Sequence, residues 1–225
     1  MPPDLSEGSC KSNLVDRVFE ERSMGRAIEK KKSVIICVCG MAGSGKSTLA
    51  KKLAEKHGLI YYSGGDALKA LALIEGYKNV EQGWWESPEG LSFLEKRHKD
   101  LNFDKDIDNK LLELALKGNV ILDSWTMPWL LKSGFKVWLE ASPERRAQRI
   151  ARRDGITAEE ALKALKSKEQ QTKAIYRKLY GFSLGEDFDP FQFILDTENL
   201  EAGEVFQVLC MVIDNMVFKS RKHQR

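Results

Sequence analysis

Three observations predict an α/β fold for this sequence, with a parallel sheet covered by helices on both faces. Short β-branched runs alternate with longer helical stretches from Ser33 onward, and the first run opens directly into a glycine-rich loop that begins a helix. The 225 residues, 42% apolar and 31% charged, suffice for one domain with a sizeable core and leave room only for local disorder.

The strand candidates are residues 34–39, 59–62, 120–122, 135–139 and 193–195, each rich in Val, Ile, Leu, Phe or Tyr. Between the second and third, residues 103–117 carry Ile107, Leu111, Leu114 and Ala115 at a 3.6-residue period and stop at Gly118, which predicts a helix with one buried stripe. Over residues 201–218, Val205, Val208, Val212 and Met216 predict a last helix packed on the sheet.

Residues 1–32 read as an extension that frays or docks, with Leu14, Val15, Val18 and Phe19 at helical spacing; Met1 and Met24 both stand as candidate starts. The net charge is +3, and Lys219, Arg221, Lys222 and Arg225 supply four positive charges, so the remainder carries −1. A body without basic excess argues against nucleic acid as the main ligand and leaves the 219–225 tail as the one segment suited to RNA or an acidic partner. The longest apolar run, 34–40, is about a third of a membrane-spanning helix, and no secretory leader pattern opens the chain, which predicts a cytoplasmic protein; a monomer or dimer is expected. Cys37 and Cys39 lie two apart in a strand-like run and share one face, and Cys10 and Cys210 have no partner pattern. Buried free thiols are expected, with no disulfide and no structural zinc.

The segment from Gly40 to Ser47, GMAGSGKS, matches GxxxxGK[ST] and sits between a strand and a helix, the context that motif needs. Gly40, Gly43 and Gly45 let successive N–H groups turn inward at a helix N-terminus, Lys46 supplies a cation for β- and γ-phosphates, and Ser47 supplies a hydroxyl for Mg²⁺. A site for ATP or GTP follows.

Ser63, Gly64, Gly65 and Asp66 follow the second strand, at the end where α/β sheets bind ligands. Asp66 suits a Mg²⁺-bound water and Lys69 an acceptor phosphate; the plainer reading is a helix cap with a surface lysine. Asp123 ends the third strand, where a carboxylate orients Mg²⁺. In SPERRAQRIARRDG, Pro143 marks a helix start and Arg145, Arg149 and Arg153 recur every four residues, with Arg146 and Arg152 beside them. These arginines suit a lid that clamps phosphates, since guanidinium donors match phosphate in pairs. Thr157 and Glu160 form a capping box opening the next helix. Among the tryptophans, Trp84, Trp85, Trp125 and Trp129 divide between packing and stacking on a nucleobase.

In this order, the residues resemble the nucleoside monophosphate kinases, most nearly the archaeal-type cytidylate kinases. The resemblance spans about residues 33–218 and rests on GMAGSGKST, YSGGDALKALA, FDKDIDNKLLELALKGNVILDS, PERRAQRIARRDG and KAIYRKLYG. It implies a three-layer P-loop kinase fold with a five-stranded parallel sheet, a monophosphate-binding insert at 64–103 and a helical lid at 142–181. It also implies transfer of the γ-phosphoryl of Mg-ATP to a nucleoside monophosphate, CMP or dCMP first. By position, Gly40, Met41, Ala42, Gly43, Ser44, Gly45, Lys46, Ser47 and Thr48 would hold ATP, and Ser47, Asp66 and Asp123 would support Mg²⁺. Arg149 and Arg153 would act with Lys46 and Asp123 at the reacting centre. Ser63, Gly65, Asp66, Lys69 and Trp125 would line the acceptor site.

Departures concentrate at the acceptor. Lys69, Trp125, Lys168 and Ile175 stand where the family commonly has arginine, and neither lysine nor tryptophan reproduces a bidentate guanidinium. Two alternatives therefore stand beside the monophosphate: a small hydroxyl compound with Asp66 as base, or an ATP-dependent binding module that engages protein or RNA through its terminal segments.

Overall fold

The five strands of the computed structural model, which describes residues 34–78 and 83–219, form one parallel sheet in the order β2-β3-β1-β4-β5. They are β1 (Ile35–Gly40), β2 (Ile60–Ser63), β3 (Val120–Asp123), β4 (Phe135–Glu140) and β5 (Phe193–Asp196). Each begins within one residue of its sequence-based position. The 1–32 extension, Cys10 and the tail beyond Lys219 lie outside the described residues.

Alternation along β1 decides the layers. Ile36 and Val38 face α1 (Lys46–His57) and α8 (Ala202–Ile213), meeting Leu49, Leu53, Val205 and Leu209. Cys37 and Leu122 face the other side, against Leu68 and Leu71 of α2 (Gly64–Ile74), Phe93 of α3 (Pro88–Lys99) and Leu111 of α4 (Asn102–Lys117). Cys39 and Trp138 continue that side towards Ile175 and Tyr176 of α7 (Ala158–Tyr180). Between these come α5 (Met127–Leu130) after β3 and α6 (Pro143–Asp154) after β4. Cys37, Cys39 and Cys210 are buried free thiols, and burial pushes the Cys37 thiol up to about 12. Among the described residues, no helix is long and apolar enough to cross a membrane.

The 103–117 stripe appears as expected, with Ile107, Leu111, Leu114 and Ala115 buried and the helix closing at Gly118. The last helix corrects its expected stripe. Its buried face is Val205, Leu209, Ile213 and Val217, a four-residue ridge, whereas Met216 is 51% exposed. Val208, Val212 and Met216 also advance by four residues, but it is the neighbouring ridge that packs with Leu53 and Ile121 on the sheet, and it continues through Val217 as the chain widens into a π-helical turn at Asp214–Lys219.

β1 lies between β3 and β4, so the strand order diverges on either side of it. The carboxyl ends of β1, β2 and β3 deliver Gly40, Ser63 and Asp123 to one rim, the place where doubly wound sheets bind ligands.

Candidate active site

The loop after β1 is shaped by contacts that admit no side chain at two glycines. A Cβ on Gly40 would lie 2.6 Å from both Leu139 O and Ser44 Oγ, and one on Gly43, where φ is +80°, would lie 2.7 Å from Arg146 O. Gly45 caps α1 in the left-handed region with no side-chain hydrogen bond, so the first N–H groups of the helix have no side-chain cap. Two side chains brace the loop. Trp125 Nε1 donates to Gly40 O at 2.6 Å, and the buried Arg146 donates from Nη1 to Ala42 O at 3.0 Å and from Nε to Ala141 O at 3.0 Å, while also pairing with Glu169. The expected arginine after β3 is thus a tryptophan that fastens the loop backbone.

The loop opens into a cleft of about 390 Å³. Ala42, Gly43, Lys46 and Ser47 line it from the loop side; Ser63, Gly65, Asp66, Lys69, Asp123, Trp125 and Arg153 line it from β2, α2, β3 and α6. Ser44, Gly45 and Thr48 turn instead to a second cleft, and Met41 is buried beside Trp138. Ser63 Oγ accepts from Asp66 N at 3.1 Å, so serine, not Asp66, is the cap of α2. Tyr61 donates to Asp123 Oδ2 at 3.0 Å and fixes that carboxylate; burial and the Asp123 charge push the Tyr61 phenol up. Burial lowers the Lys69 ammonium. Ser47, Asp66 and Asp123 are hard oxygen donors on one cleft, a set that fits Mg²⁺ arriving with phosphates. Among the described residues, no cluster of three metal-ligating side chains forms a site of its own.

The arginines of α6 do not converge. Arg149 donates to Thr197 Oγ1 at 3.0 Å and Thr197 O at 2.5 Å, in the second cleft of about 190 Å³, and burial lowers its guanidinium. Arg153 instead donates to Glu86 at 3.1 Å and to Asp154, in the first cleft. Arg149 and Arg153 are one four-residue step apart, a step that turns the helix by about 40° past a full turn and climbs about 6 Å, and the two side chains line different cavities.

The far end of the first cleft holds residues that sequence motifs do not single out. Arg97 and Asp104 are both buried and bonded through two contacts, Nε to Oδ2 at 3.1 Å and Nη2 to Oδ1 at 2.6 Å. Beside them Asp108 accepts from Thr126 Oγ1 at 2.5 Å and Tyr180 OH at 2.7 Å, and burial raises its carboxyl to about 7 despite both donors. A signal for this pair exists: Asp104 and Asp108 fall on the stripe of Ile107 and Leu111, where carboxylates interrupt an otherwise buried face. Of the tryptophans, Trp85 and Trp125 line the cleft. Trp84 packs in the core beside Phe93, and Trp129 stacks on Phe182 at 4.1 Å.

Residues 35–199 match the cytidylate kinase-like family. The chain is 31% identical to cytidylate kinase of Pyrococcus horikoshii over 187 residues, covering 83% of this chain and 91% of that one. It is 37% identical to cytidylate kinase of Ignicoccus hospitalis over 165 residues, covering 72% and 89%. Among solved structures, an uncharacterized protein from Eubacterium ventriosum is similar with a TM-score of 0.57 at 21% identity, over 82% of this chain and 99% of that one. Shikimate kinase from Bacteroides thetaiotaomicron follows with a TM-score of 0.51 at 17% identity, over 83% and 99%. These two likenesses show the fold alone, that of the P-loop kinases. The chain belongs to the cytidylate kinase-like family and is an ATP-dependent nucleotide kinase.

Proposed function

We propose, from that membership, that this kinase transfers the γ-phosphoryl of Mg-ATP to CMP or dCMP. The observation that carries the choice of acceptor is the make-up of the cleft, with a phosphate loop at one end and the buried Arg97–Asp104 pair beside Asp108 and Thr126 at the other. Cytosine presents an amino donor next to two acceptors, N3 and O2, and a guanidinium with a carboxylate offers the complementary acceptor and donors. Uracil carries a carbonyl where cytosine has the amine and would leave the carboxylate facing an acceptor.

Residues 40–48 would wrap the triphosphate, with Lys46 at its β- and γ-phosphates, and Arg149 would serve ATP from the second cleft, which Ser44, Gly45 and Thr48 also line. Mg²⁺ would be held with the phosphates by Ser47, directed by Asp66 and Asp123, and would supply charge neutralisation. On the acceptor side, Ser63, Gly65, Asp66, Lys69 and Trp125 would flank the monophosphate within an insert at 64–103, under a lid at 142–181 that contributes Arg153. A phosphate oxygen is already nucleophilic, so no base is required. Positioning and neutralisation by Lys46, Lys69 and Arg153 would accelerate transfer, and lid closure would exclude water.

The test is ADP release from Mg-ATP with CMP, dCMP, UMP, AMP, GMP or dTMP, with Lys46→Met as blank and ATP alone as the hydrolysis control. Turnover led by CMP or dCMP is expected, and Lys46→Met should lose about 10²–10³-fold. Silence across the panel with ATP still bound would overturn the proposal and favour a hydroxyl acceptor or a binding module.

A further inference from the structure

Glu86 stands in a short 3₁₀ turn, Trp84–Glu86, between α2 and α3. The turn is anchored: Glu86 N donates to Gly83 O at 3.0 Å, and Trp84 is buried in the core. The Glu86 side chain is 6% exposed and accepts from two helices at once, from Lys168 Nζ of α7 at 3.0 Å and from Arg153 Nη2 of α6 at 3.1 Å. One carboxylate of the proposed acceptor insert therefore holds both helices of the proposed lid.

Lys168 sits in unusual surroundings for an ammonium. It is buried, with Nζ 5.3 Å from the centre of the Trp85 ring and 5.9 Å from that of Trp125. The charged groups around it are Glu86 of the turn, Arg153 of α6 and Lys46 of α1, with Lys69 of α2 and Asp154 of α6 coupled to the same cluster. Burial and two like charges favour the neutral amine; Glu86 opposes both. The balance lowers Lys168 to about 8. An ammonium carries three N–H donors, and one is directed at Glu86, which leaves Lys168 able to donate to an anion in the cleft.

We propose that Glu86 is a positioning residue of this kinase, aiming Lys168 and Arg153 into the acceptor cleft and keeping Lys168 a cation there for the phosphoryl groups. The inference rests on the proposed transfer to a monophosphate. It gives the lysine that replaces a family arginine a property arginine lacks: its charge is lost within a working pH range.

The experiment is the pH profile of kcat/KM for the acceptor in four proteins: wild type, Glu86→Gln, Glu86→Asp and Lys168→Arg. The wild type should lose activity on the alkaline side near pH 8. Glu86→Gln should fall about tenfold at pH 7.5, with the alkaline limb moved to lower pH and the ATP dissociation constant within about twofold of wild type. Glu86→Asp should restore part of the limb's position, and Lys168→Arg should abolish the limb. An unmoved limb in Glu86→Gln, or a limb that survives Lys168→Arg, overturns the proposal. An NMR titration of ¹³C-labelled lysine in the ATP-free proteins separates the two readings. If no monophosphate is turned over but the Lys168 midpoint falls in Glu86→Gln, the proposed acceptor is wrong while the charge-holding role of Glu86 stands; a midpoint that does not move refutes that role as well.

Discussion

The two ends of the first cleft are built by opposite means. The proposed donor end is backbone. Its shape comes from a contiguous loop in which Gly40 and Gly43 cannot carry a Cβ, and side chains such as Trp125 and Arg146 serve mainly to hold carbonyls in place. The proposed acceptor end is side chain. Arg97, Asp104, Asp108, Thr126 and Lys168 come from three helices and a connecting segment, and they bond to one another and to Glu86 and Tyr180. A backbone site suits phosphate, which every nucleotide carries, whereas under the proposed function the buried network of charges would read the part that differs between nucleotides. Variation in acceptor preference is therefore expected at the network and not at the loop.

The largest effect that would separate the ends is on stability. Asp104→Ala strands a buried guanidinium and should cost about 3–5 kcal/mol in urea unfolding, while a change on the exposed part of the lid helix, such as Lys166→Ala, should cost under about 0.5 kcal/mol. Equal costs would show that the pair is not buried as described.

Gly43→Ala probes the donor end. At φ +80° and 2.7 Å from Arg146 O, the added methyl must displace the loop, at about 1–3 kcal/mol. The loss should appear in ATP binding by calorimetry, with CMP binding nearly unchanged; equal loss of both would show that the ends are not independent.

A third effect is a pH dependence. Folding raises the Asp108 carboxyl to about 7, so the folded chain keeps a proton that the unfolded chain releases near pH 4. Stability therefore falls as pH rises from about 4 through about 7 and stays low above it. Asp108→Asn removes that loss, and its unfolding free energy relative to wild type should be more favourable at pH 8 than at pH 5. A difference independent of pH would contradict the burial of an uncompensated carboxyl.

The same contrast explains what could be read in the sequence. The loop was legible because its chemistry is local: eight contiguous residues, between a strand and a helix, specify an anion site whatever surrounds them. The strands were legible because β-branched runs are short and well separated. The acceptor end was not, since Glu86, Arg97, Asp108 and Lys168 meet only after four elements have packed. Its one trace was Asp104 and Asp108 on an apolar stripe. Lys168 showed itself only as a departure from an arginine, and the regular spacing of Arg145, Arg149 and Arg153 suggested one site where the turn of the helix makes two.

The most direct test of the central claim, that a buried arginine–carboxylate network reads cytosine beyond a generic phosphate loop, is the ratio of kcat/KM for CMP over UMP in wild type and Asp104→Asn, at a temperature where circular dichroism shows both folded. The wild type should favour CMP by about tenfold or more, one good hydrogen bond being about 1.4 kcal/mol, and Asp104→Asn should lose most of that preference while binding ATP as before. A wild type indifferent between CMP and UMP, or an Asp104→Asn variant that keeps the full preference, would contradict it.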